Sequence, residues 1–569
     1  MKPMSRYLLC AVLVAAASTS LFAQPVVSEG GMVNAASSVD PKLPSGAIAQ
    51  GSLFIIYGAR IGPAQLVASP LPWPNTLSGT SVRVASGSVT ADCPIYYTSS
   101  GQVAAVMPSN VPVGNATLTL SYNGGASVGR SVRVVASSFG MYTTNLRGSG
   151  PGSITNFESA QSQPLNTVLK PARPGQTLII YGTGLGALPA GSNDGAPVSA
   201  AVPINQANLE LSVGGRRADV AYAGRAPFFA SLDQINFVVP GGVEGCSVPI
   251  VVKIGNLVSN AATIAISASG TACSDALGLP SSQLDRLSST GSLKVGSIAL
   301  ARLDLEVSAG GFSISIKTDT GTASFVDYTP TSIVSSSSLN AGGATSLGTC
   351  TFYSGKSDSL TPIDYAPPRG LDAGALININ GPKGARSLKK VSSLIGNYSE
   401  TLSSAGISLP IPGAPDGSYL DPGPYSFNNG AGGADVRGFT ANLNLGAPVV
   451  WSNKAAVTNV NRAAGQTVTW TGGDNNGYVV IYGFSATDAS DNALLSIFTC
   501  TERASAGTFT VPASILLALP PSPTATSAGL PFGLMGVGSG NLPVTFSAPG
   551  LDYAYIVSSS LTLKSVNYQ

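Results

Sequence analysis

Histidine is absent from all 569 residues. That excludes Ser-His-Asp and Cys-His relays, which pass a proton through imidazole. It also excludes the zinc sites that use histidine ligands. Acid–base chemistry in this chain would fall to carboxylates, lysine, tyrosine or a Ser–Lys pair. Charge is scarce too: Asp, Glu, Lys and Arg make up 10% of the chain, and the net charge is +2. Nucleic-acid binding needs a clustered basic face, so no nucleic-acid partner is expected. Beyond the N-terminus no apolar run reaches the roughly 18 residues of a membrane helix. No transmembrane segment is therefore expected once a leader is removed.

Glycine (67) and proline (40) are plentiful. Both are poor in helix interiors, and abundant Ser and Thr keep strands and turns soluble without charge. The composition is β-rich, and the length calls for several domains. Lys2 and Arg6 precede the apolar "YLLCAVLVAAA", and "LFAQ" offers cleavage after Ala23. Residues 1–23 are thus predicted to be a Sec signal peptide, giving a secreted or cell-surface protein. Cys10 leaves with it. Cys93, Cys246, Cys273, Cys350 and Cys500 remain; in an oxidising compartment they pair and leave one over.

"QGSLFIIYGARIG" at residue 50 has a near-copy, "PGQTLIIYGTGLG", at residue 174. Gly51/Gly175, Tyr57/Tyr181, Gly58/Gly182 and Gly62/Gly186 coincide. Downstream, "YYTSSGQVAAVMPSNVPVG" from Tyr96 aligns with "FFASLDQINFVVPGGVEG" from Phe228, matching Gln102 to Gln234 and Pro108 to Pro240. The repeat of roughly 125–130 residues is longer than a solenoid unit and suits an immunoglobulin-like sandwich with a long loop. A dinucleotide fingerprint needs G-x-G-x-x-G and then a helix. Gly182, Gly184 and Gly186 are spaced G-x-G-x-G, the following "ALPAGSNDGAPV" cannot be helical, and Arg60 takes the middle position in the first copy. These glycines read as a sandwich corner, and no cofactor is expected. Asn123-Gly124 and Gly214-Gly215 mark tight hairpins.

"VNAASS", "GAIAQGSLFIIYGARIG", "LPWPNTLSGTSVRV" and "YYTSSGQVAAVMPSNVPVG" resemble a recurrent domain of secreted soil-bacterial proteins, the Solibacter-type C-terminal domain. That domain is similar to the wider IPT/TIG immunoglobulin-like class. The resemblance spans roughly residues 31–270. It implies an extracellular β-sandwich used for binding or spacing, and it supplies no catalytic residues. The pair lies near the N-terminus here, with a large region following, which departs from the family's placement.

The expected organisation is all-β: tandem immunoglobulin-like β-sandwiches followed by a further β-sandwich region. Module 1 covers residues 24–145, module 2 covers 146–273, a linker 274–290, and a C-terminal β-rich region of one or two sandwiches 291–569. Cys246 and Cys273 flank two strands joined near Gly255-Asn256, so a disulfide there would staple the last hairpin of module 2, contributing on the order of 3 kcal/mol. Cys350 and Cys500 sit in similar strand contexts, and a bridge between them would join distant strands of one domain. Residues 385–406 suit either an amphipathic helix or a hairpin turning at Gly396-Asn397; the β surroundings favour the hairpin. "VPASILLALP" reads as a short helix starting at Pro512.

Asp304 and Glu306 in "RLDLEV" share one side of a strand. Glycosidases need carboxylates that flank the scissile bond, so these acids are expected to face solvent while Leu303, Leu305 and Val307 face the core. Asp474-Asn475-Asn476-Gly477 and the loop at Asp194 suit tight turns, with oxygen ligation of calcium as the alternative. Ser387 and Lys390 form S-x-x-K without its companion motifs. Five aromatics are candidate ligand contacts: Trp73 between two prolines, and Trp451, Trp470, Tyr478 and Tyr482, which as a flat platform could take a sugar ring or instead fill a core. The resulting expectation is a non-enzymatic exported protein for binding, adhesion or spacing at the cell envelope, with an extracellular polysaccharide or protein as partner. The alternatives are a secreted polysaccharide-acting enzyme or carbohydrate-binding protein with its site in the C-terminal half, and a structural surface-layer component.

Overall fold

The computed structural model describes residues 24–146, 148–269, 272–309, 312–335, 345–356, 366–403, 407–408, 417–487, 494–522 and 532–569. The predicted signal peptide lies outside them. The chain is all-β.

Module 1 contains β1 (Val26–Asn34), β2 (Leu53–Ala59), β3 (Thr80–Ser86), β4 (Ile95–Thr98), β5 (Gln102–Val106), β6 (Gly114–Tyr122) and β7 (Arg130–Val135). One sheet runs β1-β2-β5-β4. The other runs β7-β6-β3, with Ile48–Ala49 added in parallel to β7. Alternating apolar residues close the sandwich: Val82 and Val84 from β3, Leu118 and Leu120 from β6, and Phe54 and Ile56 from β2 are fully buried. Cys93 is buried in the same core as a free thiol, and burial pushes its pKa up.

Module 2 repeats the plan with β8 (Thr177–Thr183), β9 (Leu209–Val213), β10 (Arg216–Arg225), β11 (Asp233–Val238), β12 (Gly245–Ile254) and β13 (Ala262–Ile266). The register confirms the duplication. Tyr57 faces Gln102 as Tyr181 faces Gln234, and Ile48 pairs in parallel with Val134 as Ala172 does with Ile266. Gly214 and Gly215 both take left-handed φ (55° and 78°), as Asn123 and Gly124 do (47° and 85°). Such φ values at both central positions match the right-handed strand twist of a two-residue hairpin.

The modules differ at one hairpin. In module 1, Tyr97 faces Ala104 and Thr98 faces Val103. In module 2, Tyr222 faces Asn236, the partner of Ala104 in the repeat, and the strands continue to Arg225 opposite Asp233. The ungapped match of Tyr96 with Phe228 is therefore corrected. Tyr96 lies in a strand, whereas Phe228 and Phe229 lie on an added tip, 72% and 55% exposed.

That extension locks the modules together. Arg225 and Asp233 are buried side by side, Nε to Oδ1 at 3.4 Å. Arg225 Nη2 donates to Gly51 O of module 1 at 3.0 Å, and Ser231 Oγ donates to the same oxygen at 2.8 Å. Thr183 Oγ1 accepts from Leu53 N at 2.9 Å. The loop at Asp194, a turn or calcium candidate, is a junction clasp: its carboxylate accepts from Ser109 N at 2.8 Å and from Ser109 Oγ at 2.5 Å.

Within the predicted linker 274–290, where the sequence also allows a short helical turn, the chain packs against module 2. Residues Ser281–Thr290 form helix α1, and its Leu284 and Leu287 are buried with Cys246, Cys273, Leu293 and Val295. Two leucines three residues apart share a helix face, and that face packs instead of spacing. The Cys246–Cys273 disulfide forms beside it.

The C-terminal region is one sheet bent over two cores. Its strands are β14 (Leu293–Ala309), β15 (Phe312–Tyr328), β16 (Thr349–Lys356), β17 (Leu376–Gly381), β18 (Gly384–Lys390), β19 (Asn397–Thr401), β20 (Gly423–Asn428), β21 (Thr440–Leu445), β22 (Val449–Trp451), β23 (Gln466–Gly472), β24 (Tyr478–Ala486), β25 (Leu494–Arg503), β26 (Thr508–Val511), β27 (Gly533–Gly540) and β28 (Tyr553–Ser565). The order is β16-β25-β24-β27-β28-β14-β15-β19-β18-β17-β20-β21, and β22-β23-β26 form a separate small sheet. β18 and β19 make a hairpin, as expected in 385–406, but the chain turns over residues 391–396 and not at Gly396-Asn397, and 404–406 lie outside the described residues. Pro512 precedes the short helix Ala513–Leu516. One core gathers Trp451, Trp470, Val479, Ile481 and Phe498, and also takes Val251 and Val258 of module 2. The other gathers Phe325, Tyr398, Tyr425 and Phe427. Cys350 faces Cys500 across β16 and β25, and the two form the second disulfide.

Arg302 on β14 faces Asp319 on β15 and grips it with two hydrogen bonds of 2.8 Å. The amides of Tyr419 and Leu420 also donate to Asp319. Burial pushes this carboxyl up, but Arg302 and the two amides outweigh it and hold the pKa below its ordinary value. A depressed folded-state pKa stabilises above the unfolded value, about 3.9 for aspartate, and the gain is lost as pH falls through the folded value. Denaturant titrations stepped from pH 7 to pH 2 should show the wild type losing stability on the acid side of pH 4. Asp319→Asn should start lower and show a flatter acid limb; an unchanged acid slope would remove Asp319 from the account.

Candidate functional site

The segment Leu71–Asn75 is sewn along β4. Ser69 N donates to Tyr96 O at 2.8 Å, and Ile95 N donates to Pro74 O at 2.8 Å. Trp73 N donates to Gly195 O of module 2 at 2.7 Å, so both modules hold this loop. Flanking prolines restrict the backbone further. The half-buried Trp73 ring stacks on Tyr96, with centroids 4.8 Å apart and planes 27° from parallel. Tyr96 meets Tyr97 edge-on at 5.3 Å.

Tyr57 and Tyr96 are 42% and 38% exposed, enough for either ring to meet a ligand. Tyr97 accepts a hydrogen bond from Gln102 Nε2 at 2.7 Å, and burial, aided by Tyr57 and Tyr96, pushes its pKa up to about 12. It is a neutral, fixed support at physiological pH. The result is a rigid aromatic shelf with hydroxyls at its margin. Such a surface offers large contact area at small cost in side-chain entropy.

The other four aromatic candidates are corrected as ligand contacts. Trp451 and Trp470 face each other across β22 and β23 inside a core. Their indole N–H groups are already used, on Asn453 Oδ1 and Ala504 O, both at 2.8 Å. Tyr478 is buried against Leu277. Burial pushes the phenols of Tyr478 and Tyr482 up to about 12. Tyr482 lies within central strand β24 and is half-buried.

At the glycine corner the free amides are engaged by the chain's own carboxylate. Asp233 Oδ2 accepts from Gly184 N and Leu185 N, both at 2.7 Å. The middle glycine, Gly184, has φ of 109°, and its counterpart Arg60 is left-handed at 57°. Asp474 makes a tight turn: Oδ1 accepts from Asn476 N at 2.9 Å, and its carbonyl accepts from Gly477 N at 2.9 Å. Among the described residues no cluster of three or more Cys, Asp or Glu is placed to hold a metal ion.

Asp304 and Glu306 do not simply face solvent. Asp304 accepts from Ser315 Oγ at 2.6 Å, and Glu306 pairs with Lys454 at 2.5 Å. Leu303, expected on the core side, is 38% exposed. From Ala301 to Glu306 neither face of β14 is fully buried, so Leu303 meets no closed core there. Ser387 and Lys390 turn to different partners, Asn378 and Asp372. Sequence reasoning missed Tyr96 as the stacking partner of Trp73 and Tyr97 beside Tyr96; the adjacent pair Tyr96-Tyr97 was the available signal.

The fold and this shelf define a multi-sandwich β protein with two disulfides and an accessible aromatic surface. Among the described residues no helix is long and apolar enough to cross a membrane. No protein-family model and no curated protein matches the chain. Solved structures that resemble it are distant. The S-layer protein SbsC, domains 5–6, is 12% identical over 42% of this chain and 98% of that one, with a TM-score of 0.16. The plexin A4 extracellular region is 13% identical over 41% of this chain, at a TM-score of 0.14, and the match spans 17% of its length. The Bacteroides ovatus mixed-linkage glucan utilization protein SGBP-B, solved with a heptasaccharide, is 9% identical over 80% and 92% of the two chains, at 0.12. At these scores the likenesses carry no argument about activity.

Proposed function

We propose that this chain is an exported, non-enzymatic binding protein of the cell envelope, and that module 1 engages polysaccharide through the Trp73–Tyr96 shelf. The observation that carries the reading is an accessible tryptophan stacked on an accessible tyrosine, on a loop fixed by both modules. A pyranose presents an apolar C–H face to such rings, while its hydroxyls reach the tyrosine oxygens. Export is supported by the leader-like residues 1–23 and by two disulfides, which persist in oxidising compartments. The resemblance of residues 31–270 to the Solibacter-type domain belongs to the same reading. The absence of turnover is supported by how the carboxylates are spent: Asp233, Asp304, Glu306 and Asp319 all serve internal contacts.

The test incubates the disulfide-intact chain from Gln24 with a panel of insoluble and soluble polysaccharides. Protein depletion and reducing-sugar release are read in the same tubes. Binding without release is expected, and Trp73→Ala should weaken it at least tenfold. The chain has three tryptophans, and Trp451 and Trp470 are buried. Iodide-quenchable fluorescence therefore belongs to Trp73, and bound polysaccharide should shield it. Catalytic sugar release would overturn the non-enzymatic reading, and retained binding in Trp73→Ala would overturn the shelf.

A further inference from the structure

The two cores of the C-terminal region part along a line, and a cleft of about 290 Å³ opens there. Its floor follows from strand register. Arg302 on β14 faces Ser560 on β28, which faces Ser539 on β27. Directly paired residues point to the same face of a sheet, so three polar side chains form a row across three adjacent strands. The row falls where the layers above separate. β20 and β21 cover the tyrosine-rich core, β22 and β23 cover the tryptophan core, and residues 445–448 cross between them. Asn444 and Asp474 stand at the rim.

The chemistry of this lining is specific. The Arg302 charge is matched by Asp319 in a two-fold hydrogen-bonded pair, so the cleft offers no uncompensated cation to an anion. Ser539 Oγ accepts from Val449 N at 3.1 Å, which leaves its O–H to donate. Asp474 uses one carboxylate oxygen in its turn and keeps the other as an acceptor. Ser560 adds a second hydroxyl and Asn444 an amide. Leu420, Leu445 and Pro448 supply apolar wall between these groups. The volume stands at the low end of small-molecule sites, about 300–1,000 Å³.

We infer that this cleft is a second ligand site, which takes a short, uncharged, polyhydroxylated ligand: a single sugar residue or the end of a chain. Hydroxyls that both donate and accept match a lining of hydroxyl, amide and carboxylate oxygen with apolar wall between. The inference is independent of the shelf in module 1, which lies in another domain and offers a flat surface.

The test uses the intact chain and saturation-transfer NMR with glucose, galactose, mannose, N-acetylglucosamine and, as the anionic control, glucuronate. At least one neutral sugar should bind, and glucuronate at least fivefold more weakly. Ser560→Leu, which fills the floor, should weaken binding at least tenfold. Asn444→Ala, at an exposed rim position of β21 where the change spares the backbone pairing with Pro424, should weaken it several-fold with an unchanged thermal melt. These bindings are read in the Trp73→Ala chain, where the shelf of module 1 no longer contributes. Binding by no neutral sugar, binding indifferent to both cleft variants, or glucuronate binding as tightly would each overturn the inference.

Discussion

Asp233→Ala should be the most damaging single substitution in the two N-terminal modules, costing about 3–5 kcal/mol, the usual result of stranding one member of a buried ion pair. Arg225 is 1% exposed and Asp233 fully buried. Without the carboxylate, the guanidinium keeps only the carbonyls of Gly51 and Gly186. The amides of Gly184 and Leu185 lose their acceptor at the same time, and buried donors left unpaired are costly. Burial pushes the Asp233 carboxyl up, against the pull of Arg225 and of those amides. The pair therefore serves geometry more than net attraction. Arg225→Met with Asp233→Ala should accordingly lose less than the sum of the two single changes. Denaturant midpoints of the three variants measure this, and an Asp233→Ala cost under about 1 kcal/mol would contradict the buried-charge account.

Removing the Cys350–Cys500 bridge should be the second large effect. The cysteines are 150 residues apart, against 27 for Cys246–Cys273. Cross-linking restricts the unfolded chain more for longer loops, giving about 5 kcal/mol for the long bridge and about 3.5 for the short one. Topology points the same way. β16 is an edge strand held by β25 alone in the large sheet, so without the bond that single neighbour holds it through the backbone ladder, the Ser354–Ser496 hydroxyl contact and apolar packing. Thermal melts of the Cys350→Ala/Cys500→Ala and Cys246→Ala/Cys273→Ala chains should rank the first as the less stable. The reverse order would show that the helix α1 contacts beside Cys273, and not loop length, dominate.

Local features of this fold were legible in the chain. The duplicated strands, the Asn123-Gly124 and Gly214-Gly215 turns and the Pro512 helix start all rest on signals within a few residues. The candidate site was half legible: Trp73 stood out between its prolines, but its stack on Tyr96 depends on a loop folding back along β4. Pairings between distant segments left no such trace. Nothing in "RLDLEV" announces that Arg302 grips Asp319 or that β14 lies parallel to β28. Nor does the sequence show that Tyr478, at the start of β24, is buried against Leu277, since burial alternates further along the same strand. The slip at "FFASLD" has the same origin, since an ungapped alignment cannot see a hairpin that grows at its tip.

The parallel pairing of β14 with β28 also sets a timetable. Modules 1 and 2 complete their sheets with residues no later than Ile266. β14 finds its parallel neighbour only when Tyr553–Lys564 is present, and the adjoining Lys294–Asp552 contact spans 258 positions. Until then the strands over the tryptophans and the strands over the tyrosines belong to separate half-sheets with open edges. Such distant pairings form slowly and leave apolar edges uncovered meanwhile. A chain made from its N-terminus onward would thus carry a finished front half and an unclosed rear half, with its final stretch serving as the clasp.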